Sequence, residues 1–304
     1  MIAAKSSIVV IGSSNTDMVV RSKRLPGPGE TILGGHFFMN AGGKGANQAV
    51  AAARLGGAVT FIAKAGKDIF GDQALELFRR EGIDTSFIKQ DKNYPSGVAL
   101  IIVDDKAENC IVVAPGANAA LLPSDLDFSR AVISHAAVVL VQLEIPLETV
   151  EHAAALVDPF EAILILNPAP ANTIANELLE KVDIITPNET EATLLTGIQV
   201  HDQVTAEAAA RKLLEKGVGS VVITMGAKGA YWTDGKSSGF CPAPQVKAVD
   251  TTAAGDVFNG ALALAIAEEM EFPQAVAFGC AAASLSVTRL GAQASAPFRK
   301  ELNQ

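Results

Sequence analysis

The sequence predicts an α/β fold in which helices cover both faces of a mostly parallel β-sheet. Short runs that are apolar throughout, such as residues 7–12 and 138–143, end in glycine or polar residues. Such runs are typical of strands that are buried on both faces of a sheet. From residue 125 onward they alternate with helix-like segments, which indicates repeated strand–helix units and therefore three layers. No repeat or linker divides the 304 residues, so we expect a single domain over 1–304.

The individual elements follow from the periodicity of apolar residues and from glycine and proline breaks. We predict strands over 7–12, 59–63, 97–103, 110–114, 138–143, 163–166, 184–186 and 220–224. We predict helices over 49–55, 70–81, 147–157 and 206–216. The polar turn 104–109 joins two of these strands as a hairpin. We expect the hairpin to pair with β segments nearer the N-terminus, so that about 16–40 and 96–118 form a small second sheet, which we interpret as a lid.

Composition and charge argue against several classes of partner. The net charge of −9 disfavours nucleic acid and anionic membranes, because both need a basic protein surface. The three cysteines, Cys110, Cys241 and Cys280, are scattered, so neither a disulfide framework nor a zinc site is expected. The first residues, MIAAKSSIVVIG, lack the apolar core and cleavage site of a signal peptide. We therefore expect a cytoplasmic location and no membrane or nucleic-acid partner.

The stretch DTTAAGDVFNG at 250–260 is the one around which we interpret the rest of the chain. Its small residues allow a tight turn and close approach of a ligand, and apolar residues at helical spacing follow. A helix that begins here directs its free N–H groups back at the turn, which makes an anion site. Asp256 falls in the first helical turn, where a carboxylate can accept a proton from a hydroxyl during phosphoryl transfer. The alternative is an ordinary helix N-terminus with an acid in its first turn.

A second glycine-rich segment, NAGGKGANQ at 40–48, precedes the predicted helix 49–55. Its glycines again allow close approach of a ligand, and they place Lys44 and Asn47 near the start of the helix. The segment is not a Walker A loop, because Lys44 is followed by glycine, and no G-x-G-x-x-G dinucleotide motif occurs in the chain. The alternative interpretation is a structural glycine-rich helix cap.

Polar side chains follow several predicted strands at their carboxyl ends, where ligands collect in open α/β sheets. Asn15 and Asp17 alternate in an extended segment after the first strand, and Glu144 follows the strand at 138–143. Carboxylate and amide groups suit the hydroxyls of a polyol, although a plain polar turn is the alternative. Asn188 and Glu191 are three residues apart at a helix start. They fit either a capping box or a site that holds Mg²⁺ through water.

Taken together, these segments resemble the ribokinase-like carbohydrate kinases over nearly the whole chain. The motifs that carry the resemblance are GSSNTD at 12–17, PGPGET at 26–31, AGGKGANQA at 41–49, PNETE at 187–191, TMGAKG at 224–229, DTTAAGDVFNGA at 250–261 and VTRLGAQ at 287–293. The resemblance implies a ribokinase-like central sheet with a β lid that often pairs with a second subunit. It also implies ATP as phosphoryl donor and Mg²⁺ as cofactor.

The resemblance further implies a role for individual residues. The sugar hydroxyls would be held by Asn15, Asp17, Gly43, Lys44, Asn47 and Glu144. Asp256 would be the catalytic base, beside an anion hole formed by Ala253, Ala254 and Gly255. The nucleotide would be bound by Asn188, Thr224, Gly226, Gly229, Gly255 and Cys280, and Glu191 would organise Mg²⁺ through water. A K⁺ ion would be held, mostly by backbone oxygens, at Asp250, Thr252, Ser286, Arg289, Gly291 and Ser295.

The expected reaction is transfer of the γ-phosphoryl group of ATP to the 5-hydroxyl of D-ribose. The alternatives are related kinases that act on deoxyribose, fructose, a keto-sugar acid or a nucleoside. A catalytically silent sugar or nucleotide sensor would be expected to lose Asp256 or the anion hole, and both are present. We expect a homodimer that forms through the lid.

Overall fold

The chain folds around two β-sheets. The computed structural model describes residues 7–106 and 108–302, so the first six residues considered above for a targeting signal lie outside it. The strands are β1 (Ser7–Ile11), β2 (Asn15–Arg21), β3 (His36–Gly42), β4 (Ala58–Gly66), β5 (Ile88–Asp91), β6 (Gly97–Val103), β7 (Asn109–Ala114), β8 (Val138–Gln142), β9 (Ile163–Asn167), β10 (Ile184–Ile185), β11 (Ser220–Thr224), β12 (Gly229–Thr233) and β13 (Ser238–Pro242).

The helices connect these strands and pack on the larger sheet. They are α1 (Lys44–Arg54), α2 (Ile69–Arg80), α3 (Pro123–Asp127), α4 (Arg130–Ser134), α5 (Leu147–Val157), α6 (Asn176–Leu179), α7 (Glu189–Thr196), α8 (Gln203–Glu215), α9 (Ala254–Ala267), α10 (Phe272–Ser286) and α11 (Arg299–Leu302). Within the described residues, none of them is long and apolar enough to cross a bilayer.

The larger sheet has nine strands in the order β13-β12-β11-β10-β9-β8-β1-β4-β5. In this order, neighbouring strands from β11 through to β5 are all parallel. At the other edge, β12 and β13 pair antiparallel to their neighbours. The carboxyl ends of the parallel strands therefore lie along one edge. Ligands bind at that edge in open α/β sheets, so the loops after β1, β8, β9, β10 and β11 are the candidates for a binding site.

The core confirms the predicted three layers. Successive side chains of a strand point to opposite faces of the sheet, so an apolar strand serves two separate cores. On β1, Val9 and Ile11 pack into the core beneath α5, α7 and α8. Ile8 and Val10 pack into the other core, beneath α1, α9 and α10. This arrangement explains why β1 is apolar throughout, with four of its five residues fully buried.

The second sheet has the order β3-β2-β6-β7 and stands apart from the first. β2 pairs with β6 in parallel, whereas β3 and β7 pair antiparallel to their neighbours. Asp17, Ala99 and Val113 lie in register across it on one face. The opposite face is apolar and exposed, and comprises Phe37, Met39, Leu100 and Val112, each 49–67% exposed.

Helix α1 begins five residues before the predicted start at Ala49. Gly43 has φ 89°, a left-handed value that glycine adopts readily, and the helix begins at Lys44 directly after it. The prediction treated the whole glycine-rich segment as a loop, whereas Lys44 to Gln48 form the first turn of the helix. As a result, Lys44 and Asn47 have helical positions, with Asn47 buried beneath the functional edge of the sheet.

Candidate active site

Two adjoining cavities open at the carboxyl edge of the large sheet. The first, which we call the apolar cavity, has a volume of about 320 Å³ and is lined by residues such as Gly226, Ala243, Pro244, Phe258 and Cys280. The second, the polar cavity, is lined by residues that include Lys44, Asn167, Asn188, Glu191 and Asp256. Both cavities share Thr224, Thr251, Ala254 and Gly255, so the start of α9 forms the boundary between them.

The start of α9 leaves its backbone accessible from the cavities. Ala253 caps the helix with φ 60°, a left-handed conformation that costs energy in a residue other than glycine. A Cβ built on Gly255 would meet nothing within 4 Å, so a ligand can approach the helix start freely. The N–H of Ala254 donates to the carbonyl oxygen of Thr251 at 3.3 Å, whereas the N–H groups of Gly255 and Asp256 have no acceptor within the helix, and all three residues line the polar cavity. The predicted anion hole of Ala253, Ala254 and Gly255 therefore has open access.

Asp256 lies in the first turn of α9, as predicted, with only 6% of its surface exposed. The side-chain amide of Asn47 donates to Asp256 Oδ2 at 2.9 Å, and that of Gln48 donates to Oδ1 at 2.9 Å. Burial raises the pKa of this carboxyl, and the positive charge of Lys44 and the two amide donors oppose that rise. Neither oxygen bonds to the helix start in the manner of a capping side chain.

The contact between α1 and α9 brings these groups together. A Cβ added at Gly260 would lie 2.6 Å from the carbonyl oxygen of Gln48, so only glycine permits this approach of the two helices. Because Asn47 and Gln48 lie on α1 and Asp256 lies on α9, the close packing sets the distance between the amides and the carboxylate.

The predicted sugar-binding residues gather on the side of Asp256 that faces the second sheet. Ser13 Oγ donates to Glu144 Oε2 at 2.5 Å, and the backbone N–H of Lys44 donates to the same oxygen at 3.0 Å. Both donors thus hold Glu144 through the same carboxylate oxygen, Oε2. Asp17 is close enough to Glu144 and Asp256 to feel both charges, and burial together with these charges raises its pKa to about 6.

Asn118, which the sequence analysis did not identify, holds the segment that follows β1 in place. It accepts from the N–H of Ser14 at 2.9 Å, and its Nδ2 donates to Asn15 Oδ1 at 2.8 Å. Asn15 therefore presents its own amide N–H groups to the neighbouring cavity, which Asn15, Asn118 and Glu144 line. Only a motif search that included buried polar residues of the turn Gly116–Ala120 could have suggested it.

Asn188 and Glu191 form the capping box that their spacing predicted. Asn188 Oδ1 accepts from the N–H of Glu191 at 2.8 Å, and Glu191 Oε2 accepts from the N–H of Asn188 at 2.9 Å. Both residues also line the polar cavity, and burial raises the pKa of Glu191. The capping role is thus observed. The other predicted role of these two residues, holding Mg²⁺ through water, stays a prediction.

The residues predicted to bind nucleotide divide between the cavities. Thr224, Gly226, Gly229, Gly255 and Cys280 line the apolar cavity, whereas Asn188 lies in the polar cavity next to it. Burial and the nearby Cys241 raise the pKa of the Cys280 thiol, so Cys280 contributes an apolar, neutral surface.

The six residues predicted to surround a monovalent cation lie in two segments: Asp250, Thr252, Ser286, Arg289, Gly291 and Ser295. Asp250 joins the segments, because its carboxylate accepts from the N–H of Thr252 at 3.0 Å and of Gly291 at 2.9 Å. Ser295 lies buried on the turn that follows Gly291. Among residues 7–106 and 108–302, no group of three or more His, Cys, Asp or Glu side chains could hold a metal ion.

Comparison with known proteins decides the family. The model of the family described as pfkB family carbohydrate kinase matches residues 5–299. The chain belongs to this family. The resemblance that the motifs indicated is thereby confirmed, and so is the predicted class of fold.

Individual members of the pfkB family resemble the chain over its whole length. A ribokinase of Haemophilus influenzae is 46% identical over 98% of this chain and 97% of its own length. A deoxyribokinase of Salmonella typhi is 38% identical over 98% of this chain and 97% of its own length. The structure of an Arabidopsis thaliana ribokinase complexed with ribose and ATP matches with a TM-score of 0.93 at 33% identity, covering 99% of this chain and 98% of the other.

We expect Asp17 to reduce the stability of the folded chain at neutral pH. Its pKa of about 6 lies above the value of 3.8 for an unperturbed Asp, so the folded state binds a proton more tightly. Stability should therefore fall as pH rises from about 4 to 6. Asp17→Asn should raise the free energy of unfolding at pH 8 by up to about 3 kcal/mol and give no such gain near pH 3.5.

Urea unfolding of the parent and the variant at both pH values measures this effect. Asp105→Asn, at an exposed turn, is the matched control and should change stability little at either pH. An Asp17→Asn variant that follows the parent at both pH values would contradict the burial argument.

Proposed function

We propose that the chain transfers the γ-phosphoryl group of ATP to the 5-hydroxyl of D-ribose. The observation that carries the proposal is the position of Asp256. Its carboxylate is buried beside an open helix N-terminus, with an apolar cavity on one side and the polar side chains of Asn15, Asp17 and Glu144 on the other. Ribokinases among the relatives, at up to 46% identity, support ribose as the acceptor.

The sugar is held by groups that recognise hydroxyls: Asn15, Asp17, Gly43, Lys44, Asn47 and Glu144. Carboxylates accept from sugar hydroxyls, and the ammonium group of Lys44 and the amide of Asn15 donate to sugar oxygens. Ser13 and Asn118 hold Glu144 and Asn15 in fixed orientations, so little side-chain entropy is lost when the sugar binds.

Asp256 acts as the general base. It accepts the proton of the 5-hydroxyl while that oxygen forms a bond to the γ-phosphorus and the bond from phosphorus to the β,γ-bridging oxygen breaks, which releases ADP. The N–H groups at Ala253, Ala254 and Gly255 stabilise the charge on the transferred group. Phosphoryl transfer depends mainly on such alignment and charge stabilisation.

The nucleotide occupies the apolar cavity, with Thr224, Gly226, Gly229 and Cys280 around its base and Gly255 near its phosphates. Asn188 and Glu191 would hold Mg²⁺ through water. A single carboxylate at the phosphate side fits Mg²⁺, which keeps several waters and otherwise binds to substrate phosphates. When bound, the ion neutralises phosphate charge.

A K⁺ ion beside the anion hole would fix the loop that precedes α9. The residues proposed to hold it are Asp250, Thr252, Ser286, Arg289, Gly291 and Ser295, mostly through backbone oxygens. The bonds from Asp250 to Thr252 and Gly291 support the proposal, because they already bring the two segments together.

We propose that about 16–40 and 96–118 act as a lid on a single domain and that the lid pairs with that of a second subunit. The exposed face of Phe37, Met39, Leu100 and Val112 supports this, because soluble proteins rarely leave such a patch uncovered. Sedimentation velocity would reveal a dimer, and a monomer at micromolar concentration would contradict the proposal.

Because ATP is the donor, we also propose a cytoplasmic location.

A kinase for 2-deoxyribose is the second candidate, because a deoxyribokinase is 38% identical to the chain. Kinases for fructose, a keto-sugar acid or a nucleoside are further alternatives. Ribose is favoured by the higher identity of a ribokinase and by the number of polar side chains available to one small sugar.

The choice of substrate is testable with a coupled assay across pentoses and hexoses. Buried polar groups that lose a partner cost about 1–3 kcal/mol each, so a missing hydroxyl should be penalised. We expect kcat/KM for ribose to exceed that for 2-deoxyribose by roughly tenfold or more, and that for fructose by a larger factor. Equal turnover of ribose and fructose would contradict the proposal.

The cation site is testable by exchange of salts. Replacing Na⁺ by K⁺ at constant ionic strength should raise the rate of ribose phosphorylation, because a weakly hydrated ion fits a site of backbone oxygens. Identical rates in the two salts would disprove the site.

A further inference from the structure

A buried network of the side-chain amides of Gln48, Gln142 and Asn167 adjoins Asp256, and of these three only Asn167 lines the polar cavity. Gln48 and Gln142 have no exposed surface, and Asn167 is 6% exposed. Gln48 Nε2 donates both to Asp256 Oδ1 at 2.9 Å and to Asn167 Oδ1 at 3.0 Å. Gln48 Oε1 accepts from Gln142 Nε2 at 2.6 Å. The roles proposed so far use only Asp256 from this group.

The main chain gives the amide network a fixed direction. The carbonyl oxygen of Thr186 can only accept, and Asn167 Nδ2 donates to it at 3.1 Å. Asn167 must therefore turn its oxygen toward Gln48, and Gln48 must in turn donate to it. The same amide nitrogen of Gln48 then also donates to Asp256. Asp256 Oδ1 thus accepts from Gln48, and Oδ2 accepts from Asn47, so both oxygens are acceptors, which suits a carboxylate rather than a protonated acid.

Gln142, at the other end of the amide network, also holds the side-chain amide of Gln48 in this orientation. Its Nε2 donates to Gln48, but its Oε1 has no hydrogen-bond partner among the described residues. The oxygen lies against Gly12, where a Cβ would approach to 2.2 Å. A buried acceptor without a partner is costly, and an apolar side chain of similar size would avoid that cost. The bond to Gln48 is the interaction that Gln142 gains in exchange.

We infer that Gln48 is a positioning residue that holds the carboxylate of Asp256 in its ionised form and in a fixed orientation, and that Gln142 and Asn167 hold Gln48. The inference rests on the proposed role of Asp256 as general base. Gln48 touches no substrate in this arrangement and acts through Asp256 alone.

Other charges also face Asp256 and must be considered. Lys44 on α1 is positive and favours the ionised carboxylate. Asp17 on β2, Glu144 after β8 and Glu191 on α7 are acids whose charges disfavour it. Because these three acids remain in any Gln48 variant, loss of the amide leaves the carboxylate with weaker support, and its pKa rises. As the pH is lowered, Asp256 in the variant therefore becomes protonated at a higher pH than in the parent.

The test is the pH profile of kcat/KM for ribose in the parent and in Gln48→Met, which keeps the length of the side chain but removes its donors. The acidic limb of the profile should move to higher pH by about one unit, which is about a tenfold loss of kcat/KM on the acidic side. KM for ATP should stay within about twofold, because the nucleotide cavity lies beyond α9. A merely structural role would lower the melting temperature without moving the limb.

Gln142→Met provides a second variant, because the side chain of Gln142 bonds to Gln48 and not to Asp256, and Gln142 lines neither the apolar nor the polar cavity. It should move the limb in the same direction by a smaller amount, and it decides the question if Gln48→Met does not fold. Thr149→Val is the matched control: it removes a buried hydrogen bond to the carbonyl of Leu121, in the opposite core, and should leave the limb in place.

The outcomes separate this inference from the proposed function. A parent that shows no turnover of ribose, or no acidic limb, overturns the role of Asp256 and this inference with it. A parent with normal turnover, whose limb is preserved in both Gln48→Met and Gln142→Met, overturns the inference alone.

Discussion

The candidate site is built around one buried carboxylate, that of Asp256. Asp256 has lost most of its contact with water, and burial of an unpaired charge is among the costliest arrangements in a protein. Three features offset the cost: the charge of Lys44, the donors of Asn47 and Gln48, and the positive end of the α9 dipole. The first two require α1 and α9 to lie in close contact, which the absence of a side chain at Gly260 permits.

The fold supplies this geometry through its topology. Parallel strands place the loops after β1, β8, β9, β10 and β11 along one edge, and both glycine-rich segments lead into helices on the same face of the sheet. Groups that are far apart in sequence thereby meet at hydrogen-bond distance, such as Asn47 with Asp256 and Ser13 with Glu144. Burial at this edge, with a smaller contribution from neighbouring acids, raises the pKa values of Asp17 and Glu191.

Much of the fold was predictable because the signals are local. Continuous apolar runs identified the buried strands, and the capping spacing of Asn188 and Glu191 gave the start of α7. The start of α1 was not predictable by the same rules, since two glycines directly precede it and a third, Gly45, lies in its first turn.

The site was predictable where a motif contains the residue and unpredictable where only tertiary contacts reveal it. Asp256 follows from its place in DTTAAGD. Gln48 stands in a recognised motif, yet its bond to Asp256 spans 208 positions, and the bond of Asn118 to Asn15 spans 103. No local pattern contains such contacts. Residues that hold other residues are therefore visible only in the folded chain.

The central claim is that Asp256 is a base rather than a helix cap, and Asp256→Asn tests it most directly, because the substitution keeps the size of the side chain and removes its charge. If Asp256 accepts the proton of the sugar, kcat should fall by at least ~10²-fold. Ribose affinity should be nearly unchanged, since Asn15, Asp17 and Lys44 remain, and the melting temperature should stay within a few degrees of the parent. A variant that melts much earlier yet keeps its turnover would show that Asp256 serves only the stability of the fold.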